Sequence, residues 1–199
     1  FCVMAMREVL CKCADLAGRF IPLQKAYSIK AVCRRYQLPV MMYNDVNDPD
    51  AVAWIGRLQP DVLLSSGNQI FKRELLRVPA KACLNRHTSL LPAYAGIYPV
   101  FWCLLNDEEE VGVSVHTMTE EIDKGQVVAQ QSLRIAPADT FFSLFSRCFD
   151  LSVDVVLQAL DEIDSGDWQP VENGRRPSYY SYPTRDDVRR FRRKGKRML

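Results

Sequence analysis

Apolar residues recur along the chain in two patterns, helical spacing and short continuous runs of strand length. The helical pattern predicts helices at residues 1–24, 28–36, 48–58 and about 140–165. The apolar runs predict strands at residues 38–42, 62–67, 82–84, 112–116 and 127–131. Ser28 suits the N-cap of the second helix, and Pro49 suits the first turn of the third. Helices that alternate with buried strands indicate an α/β sheet with helices packed on it.

Open α/β sheets bind ligands in the crevice at the carboxyl ends of their strands. Three predicted strand ends therefore mark the candidate site: those after Leu64, Leu84 and His116. Polar side chains that follow these ends are the first candidates for chemistry.

Two such side chains, Asn85 and His87, follow the strand that ends at Leu84. Residues two apart in an extended segment point to the same side, so both can face one reacting centre. Pro92, Gly96 and other turn residues then restrict the following loop, which suits a pocket wall. The alternative is a turn asparagine and a hydrogen-bonded core histidine, because a lone histidine is a weak signal.

Asp123 lies in a short loop between the strand that ends at His116 and the one that begins near Gln126. A carboxylate beside an imidazole would raise the pKa of the imidazole and hold its orientation. The alternative is an ordinary turn carboxylate next to Gly125.

The composition is that of a soluble globular protein, with 48% apolar and 25% charged residues among 199. A net charge of +2 is too small to indicate nucleic acid or a membrane as a partner of the whole molecule. Seven scattered cysteines favour reduced thiols in a cytoplasmic protein over disulfides or a metal site. No apolar run approaches the ~20 residues of a membrane span. The chain opens on Phe1 rather than Met, so we expect residues to be missing before it.

Matches to one family pattern run in order and at the right spacing over roughly residues 60–165. They are Asn85, His87, Ser89-Leu90-Leu91-Pro92, Tyr94, Gly96, Pro99, Gly112, His116, Asp123 and Gly125. The chain resembles the folate-dependent formyltransferases, which include the methionyl-tRNA, glycinamide ribonucleotide and sugar-amine formyltransferases. The resemblance implies a Rossmann-like, open and mostly parallel twisted sheet with helices on both faces.

The resemblance also implies a reaction: an amine attacks the formyl carbon of 10-formyltetrahydrofolate. Asn85 would donate its amide N–H to the oxygen where charge develops, and an imidazolium at His87 would add a second bond. Asp123 would stabilise that imidazolium and relay the proton that leaves the amine. No metal and no covalent enzyme intermediate is needed. His116 would orient the catalytic groups without contacting the substrate.

The binding residues implied by the resemblance fall into two sets. The folate-binding residues are Gly67, Asn68, Gln69, Ile70, Phe71, Glu120, Glu121 and Ile122. The acceptor-binding residues are Ser89, Pro92, Tyr94 and Gly96.

The acceptor is less well defined, because Ala95 stands where many members of the family carry an arginine that could meet an anion. Residues 178–187 resemble the linker that follows the catalytic domain in tRNA formyltransferases. We therefore expect a catalytic domain at 1–174, truncated at its N-terminal end, and a basic tail at 175–199 that adds little to the core. The tail holds ten Arg or Lys and two Asp.

We rank a small primary amine first, an amino sugar on a nucleotide carrier, and disfavour tRNA because basic runs are most often solvated. Glycinamide ribonucleotide ranks third. Two alternatives stay open: a hydrolase that passes the formyl group to water, and a folate-binding domain without catalysis.

Overall fold

The computed structural model describes residues 28–67 and 69–199, which fall into two compact units, one ending at Asn44 and one comprising Asp45–Leu199. In the first unit, helix α1 (Ile29–Arg35) begins as predicted, because Ser28 Oγ accepts a hydrogen bond from Ala31 N at 3.2 Å. The predicted helix at 1–24 lies outside the described residues.

The predicted strand at 38–42 is wrong. These residues have no strand pairing with any described residue. Their apolar side chains are exposed, namely Leu38, Val40, Met41 and Met42. A strand needs a neighbour for its backbone groups, which an apolar run alone does not provide.

The second unit holds the remaining described elements. Its helices are α2 (Pro49–Arg57), α3 (Arg73–Leu76), α4 (Pro99–Leu105), α5 (Phe141–Ser165) and α6 (Arg185–Arg193). Its strands are β1 (Val62–Ser65), β2 (Ala82–His87), β3 (Ala95–Gly96), β4 (Glu110–Thr117), β5 (Val127–Arg134) and β6 (Tyr179–Tyr180). Thr140 and Thr184 form capping boxes at the starts of α5 and α6, so the sequence itself sets both helix starts.

Four strands form the main sheet in the order β1-β2-β4-β5, and β3 pairs with β6 separately. The predicted α/β class is confirmed. Within the described residues the main sheet is mixed: β1 pairs with β2 in parallel, whereas the β2–β4 and β4–β5 pairs are antiparallel. The sequence predicted that β1 would be buried on both faces, but Leu64 is 44% exposed and only Ser65 of this strand is fully buried.

The core lies on one face of the sheet. Val111, Val113 and Val115 alternate along β4 and are buried there together with one side of α5. The buried residues of α5 in this cluster are Phe141, Leu144, Cys148, Val155, Ala159 and Ile163. They recur three, four or seven residues apart, so that one side of the helix faces the sheet.

The opposite face of β4 is covered by the segment that follows β2. Ser114 Oγ donates to Ser89 O at 2.6 Å and accepts from Leu91 N at 3.1 Å. Gly112 is required there, because a Cβ at this position would lie 2.3 Å from Leu90 Cδ2. This packing fixes the path of the chain from β2 to β3.

Four cysteines among the described residues, Cys33, Cys83, Cys103 and Cys148, are free thiols. Burial raises the pKa of Cys83 to about 11 and of Cys148 to about 12, so both remain protonated packing groups. Within residues 28–67 and 69–199, no group of His, Cys, Asp and Glu side chains is arranged to hold a metal ion. No helix in these ranges is both long enough and apolar enough to cross a bilayer.

The tail contributes to the core, contrary to the sequence-based expectation. Phe191 on α6 is 1% exposed and stacks on Phe101 of α4 with ring centroids 4.6 Å apart. The prediction failed because two apolar residues, Val188 and Phe191, among seven arginines and lysines of residues 185–196 give too weak a periodic signal.

We expect Phe191→Ala to lower the free energy of unfolding by about 3–5 kcal/mol, since it removes a buried ring and leaves a cavity. Leu157→Ala is the matched control, because Leu157 is 56% exposed on α5. Urea unfolding followed by circular dichroism measures both. Equal, small effects of the two substitutions would show that α6 is not part of the core.

Candidate active site

A cleft of about 500 Å³ lies in the second unit where the three strand ends were predicted to meet. Ser65 at the end of β1, Asn85 and His87 of β2, and His116 of β4 contribute to its lining. The loop of Asp123 and the loop after β3 close it on other sides.

Asn85 and His116 are neighbours across the β2–β4 pair. Asn85 Nδ2 donates to His116 Nε2 at 3.2 Å, and His116 Nδ1 donates to Thr117 O at 2.8 Å. With its proton on Nδ1, the His116 ring presents the Nε2 lone pair to Asn85. The second N–H of Asn85 Nδ2 remains for a ligand in the cleft, and His116 fixes the orientation of the amide.

His87 lies two residues further along β2, with its side chain buried. Its Nε2 donates to Tyr94 O at 2.9 Å, and its Nδ1 is 3.7 Å from Asp123 Oδ2. Burial lowers the pKa of His87 more than the Asp123 carboxylate and the Tyr94 carbonyl raise it. Desolvation therefore favours the neutral ring, whereas the Asp123 carboxylate alone would favour the imidazolium.

Asp123 is held in a left-handed backbone conformation, with φ of 51°. Its Oδ2 accepts from Gly96 N at 2.7 Å, and its Oδ1 is 3.5 Å from His116 Nε2. Burial alone would raise the pKa of Asp123, but the imidazoles of His116 and His87 in their protonated forms, and the Gly96 N–H, lower it overall. The carboxylate is thus charged at neutral pH and faces both histidines.

The neutral state of His87 makes stability depend on pH. Because the folded-state pKa lies below the ordinary 6.5, the unfolded chain takes up a proton first as the pH falls. We expect the free energy of unfolding to decrease between about pH 7 and about pH 5, and His87→Gln to reduce that slope. Urea unfolding at a series of pH values measures it, with His116→Gln as the comparison. An unchanged slope in His87→Gln would contradict the burial of a neutral ring.

The residues predicted to bind the folate donor mostly line the cleft. Gly67, Gln69, Ile70 and Phe71 form one part of the wall, and Glu121 and Ile122 form another. Asn68 lies outside the described residues. Glu120 is not in the lining; its exposed carboxylate lies 3.3 Å from Arg73 Nε.

Of the residues predicted to bind the acceptor, only Gly96 lines the cleft. Ser89 is fully buried, and its Oγ donates to Ala93 O at 2.8 Å. Tyr94 is also buried, with its hydroxyl donating to Glu108 Oε1 at 2.6 Å. Pro92 contributes its carbonyl, which accepts from Ser178 N. These three residues build the loop and do not line the cleft.

Sequence reasoning missed an aromatic wall and a cation. The aromatic residues of the lining that were not predicted are Tyr98, Phe141, Phe145, Tyr179 and Tyr182. The apolar spacing at 140–165 predicted a helix but not that Phe141 and Phe145 face a cleft, and Tyr179 and Tyr182 fall in the predicted tail. Arg86 also lines the cleft, with its guanidinium 4.2 Å from the centroid of the Phe149 ring. Neither a periodic pattern nor a motif marks these positions.

Asn47 was also missed, and it fixes the wall formed by residues 69–71. Its Nδ2 donates to Ile70 O at 2.9 Å, and its Oδ1 accepts from Lys72 N at 2.7 Å. The Asp-Val-Asn-Asp-Pro context of Asn47 predicts only a turn and a helix cap.

The fold and cleft define an α/β protein with an amide, an imidazole and a carboxylate converging on one pocket. A family model described as formyl transferase matches residues 5–160. The chain belongs to the formyl transferase family.

Similar curated proteins are methionyl-tRNA formyltransferases. That of Geobacter metallireducens is 33% identical over 139 residues, covering 69% of this chain and 45% of the relative. That of Thermotoga maritima is 29% identical over 154 residues, covering 77% and 49%. The chain therefore spans about half the length of the curated relatives it matches.

Solved structures agree with the fold. A sugar N-formyltransferase from Shewanella is 26% identical with a TM-score of 0.58, covering 68% of this chain and 54% of that one. HypX from Aquifex aeolicus, solved with tetrahydrofolic acid, is 21% identical with a TM-score of 0.61, covering 70% and 24%. At 21% identity, the similarity to HypX supports the fold alone.

Proposed function

We propose that this chain transfers a formyl group from 10-formyltetrahydrofolate to a primary amine. The observation that carries the proposal is the convergence of Asn85, His87 and Asp123 on one cleft. Membership of the formyl transferase family supports the same reaction class.

The cleft suits a folate donor in size and character. Its volume of about 500 Å³ is within the range of small-molecule sites. Gly67, Gln69, Ile70 and Phe71 offer main-chain groups and apolar surface to a flat heterocycle, with Ile122 on a second wall. The bound donor supplies the electrophilic formyl carbon, and the protein supplies orientation, charge stabilisation and proton transfer.

Asn85 is the group that stabilises negative charge on the formyl oxygen. Its amide is already oriented by His116, so donating its second N–H costs little reorganisation. A preorganised donor of this kind typically contributes about two to three orders of magnitude in rate.

His87 and Asp123 handle the proton. With Nε2 donating to Tyr94 O, the neutral ring carries its lone pair on Nδ1, which can accept the proton released by the attacking amine. The resulting imidazolium lies 3.7 Å from the Asp123 carboxylate, which stabilises it. As the bond from the formyl carbon to N10 breaks, the proton passes to N10 of the leaving tetrahydrofolate. His87 thus acts as the base, and the charged Asp123 stabilises the positive charge that His87 acquires.

For the acceptor we propose an amino sugar on a nucleotide carrier. The partly exposed tyrosines Tyr98, Tyr179 and Tyr182 offer flat surface for a nucleobase along the cleft. The Shewanella relative, 26% identical, is itself a sugar N-formyltransferase. The names of the curated relatives favour a second candidate, methionyl-tRNA. On α6, Arg189 and Arg190 lie near Asp186 and Asp187, which reduces the charge offered to RNA.

The test is a steady-state assay with 10-formyltetrahydrofolate and three acceptors: nucleotide-linked amino sugars, methionyl-tRNA and glycinamide ribonucleotide. The proposal predicts tetrahydrofolate formation that requires an amino sugar and is lost in His87→Ala. Turnover only with methionyl-tRNA would overturn the acceptor and retain the reaction. Formate release without any amine would indicate a hydrolase, and donor binding without turnover would indicate a binding domain.

A further inference from the structure

Strand β3 places main-chain groups against both proposed proton-transfer residues. The carbonyl of Tyr94, just before the strand, accepts from His87 Nε2 at 2.9 Å. The N–H of Gly96 donates to Asp123 Oδ2 at 2.7 Å. Because neither contact involves a side chain of the 94–96 segment, the position of its backbone sets the orientation of His87 and Asp123.

That backbone is held from the other side by the tail. Ser178 Oγ accepts from Tyr94 N at 2.9 Å, and Ser178 O accepts from Ala95 N at 2.9 Å. Tyr180 O accepts from Ile97 N at 2.8 Å. The main-chain N–H groups of residues 94, 95 and 97 are therefore all hydrogen-bonded to the tail, while that of Gly96 is bonded to Asp123.

Side chains also hold β3 and the tail together. The Tyr180 ring stacks on Tyr94 with centroids 5.2 Å apart and on Trp102 with centroids 4.7 Å apart. Asn106 Nδ2 donates to both tyrosine hydroxyls, at 3.2 and 3.1 Å. A Cβ on Gly96 would lie 2.1 Å from Tyr180 O, so the close approach depends on glycine. Movement of the tail must therefore be transmitted to β3.

We propose that residues 178–180 form a positioning element for the active site, in which Ser178 orients His87 and Asp123 through the backbone of β3. This inference rests on the proposed formyl transfer. It assigns a role in catalysis to a segment that lies outside the residues matched by the family model.

Ser178→Ala tests the proposal, because it removes only the acceptor of the Tyr94 N–H. We expect kcat to fall about five- to tenfold, with both KM values within about twofold, as for the loss of one positioning hydrogen bond. Ser178→Thr keeps the hydroxyl and should restore kcat. Ser181→Ala is the matched control, since the main-chain carbonyl of Ser181, which accepts from Trp102 Nε1, is retained.

The pH profile separates positioning from simple destabilisation. The charged or titratable groups facing His87 are Asp123, His116 and Arg86, and all three remain in Ser178→Ala. Since the Tyr94 carbonyl raises the pKa of His87, a loosened contact should move the acidic limb of the kcat profile to lower pH.

Imidazole NMR gives a readout that does not depend on activity, because the chain has two histidines. In the full chain we expect the Nε2–H signal of His87 to shift in Ser178→Ala and not in Ser181→Ala, with assignment by His116→Gln. An unchanged kcat, pH limb and His87 signal, with only a lower Tm, would overturn the proposal. If the wild type shows no turnover, formyl transfer itself fails, and the NMR comparison still decides whether Ser178 positions His87.

Discussion

Replacing Asp123 with asparagine is expected to lower kcat for formyl transfer by about two to three orders of magnitude. Asparagine keeps the size of the side chain and an oxygen that can accept from Gly96 N–H, so the loop has no steric reason to move. It removes the negative charge 3.7 Å from His87 Nδ1. Without that charge the imidazolium formed by proton transfer is left in a buried site with no counter-charge, which raises the barrier.

The expected loss lies in kcat rather than in donor binding, because the charge matters when the proton moves. Steady-state kinetics of Asp123→Asn should give a KM for 10-formyltetrahydrofolate within about threefold of wild type. Asp161→Asn, an exposed carboxylate on α5, is the matched control and should behave as wild type. A variant at Asp123 that retains more than about a tenth of the wild-type kcat would contradict the assigned role.

The largest effect on the structure of the active site is expected from Gly125→Ala. A Cβ at this position would lie 1.5 Å from Thr117 O and 2.8 Å from Thr117 Oγ1. The same turn is closed by Thr117 N donating to Gln126 O and Gln126 N donating to Thr117 Oγ1, both at 2.9 Å. A clash with backbone cannot be relieved by rotating a side chain, so residues 118–125 must shift, and Asp123 with them.

We expect Gly125→Ala to lower the free energy of unfolding by about 2–4 kcal/mol and to abolish most activity. The matched control is Gly56→Ala, where a Cβ meets nothing within 4 Å on helix α2. There alanine should be neutral or stabilising by up to about 1 kcal/mol, because it lowers the entropy of the unfolded chain. Urea unfolding with a parallel activity assay measures both, and equal stability of the two variants would refute the steric account.

Local signals predicted much of the fold. The apolar spacing placed the start of α5 near residue 140, and Asp48 and Pro49 placed the start of α2. That the side chains of Asn85 and His87 share one side of β2 followed from the two-residue repeat of a strand. These features depend on neighbouring residues in the chain, which is why the sequence is informative about them.

Features that depend on long-range contacts were not predictable. The run at 38–42 has the composition of a strand, yet no described residue pairs with it. Burial of Phe191 and pairing of Tyr180 with Gly96 join segments about 85 to 90 residues apart, and no local pattern reports such contacts. The lowered pKa of His87 also failed to follow from Asp123 alone, because desolvation depends on the whole surrounding structure.

The central claim is that Asn85, His87 and Asp123 direct a formyl group to an amine. The most direct measurement follows an isotopically labelled formyl carbon of 10-formyltetrahydrofolate by NMR in the presence of a nucleotide-linked amino sugar and the full chain. The account predicts that the label appears as an N-formyl amide at a rate that falls at least about a hundredfold in Asp123→Asn. Label that stays on the donor, or that appears as free formate at equal rates with and without the amine, would contradict it.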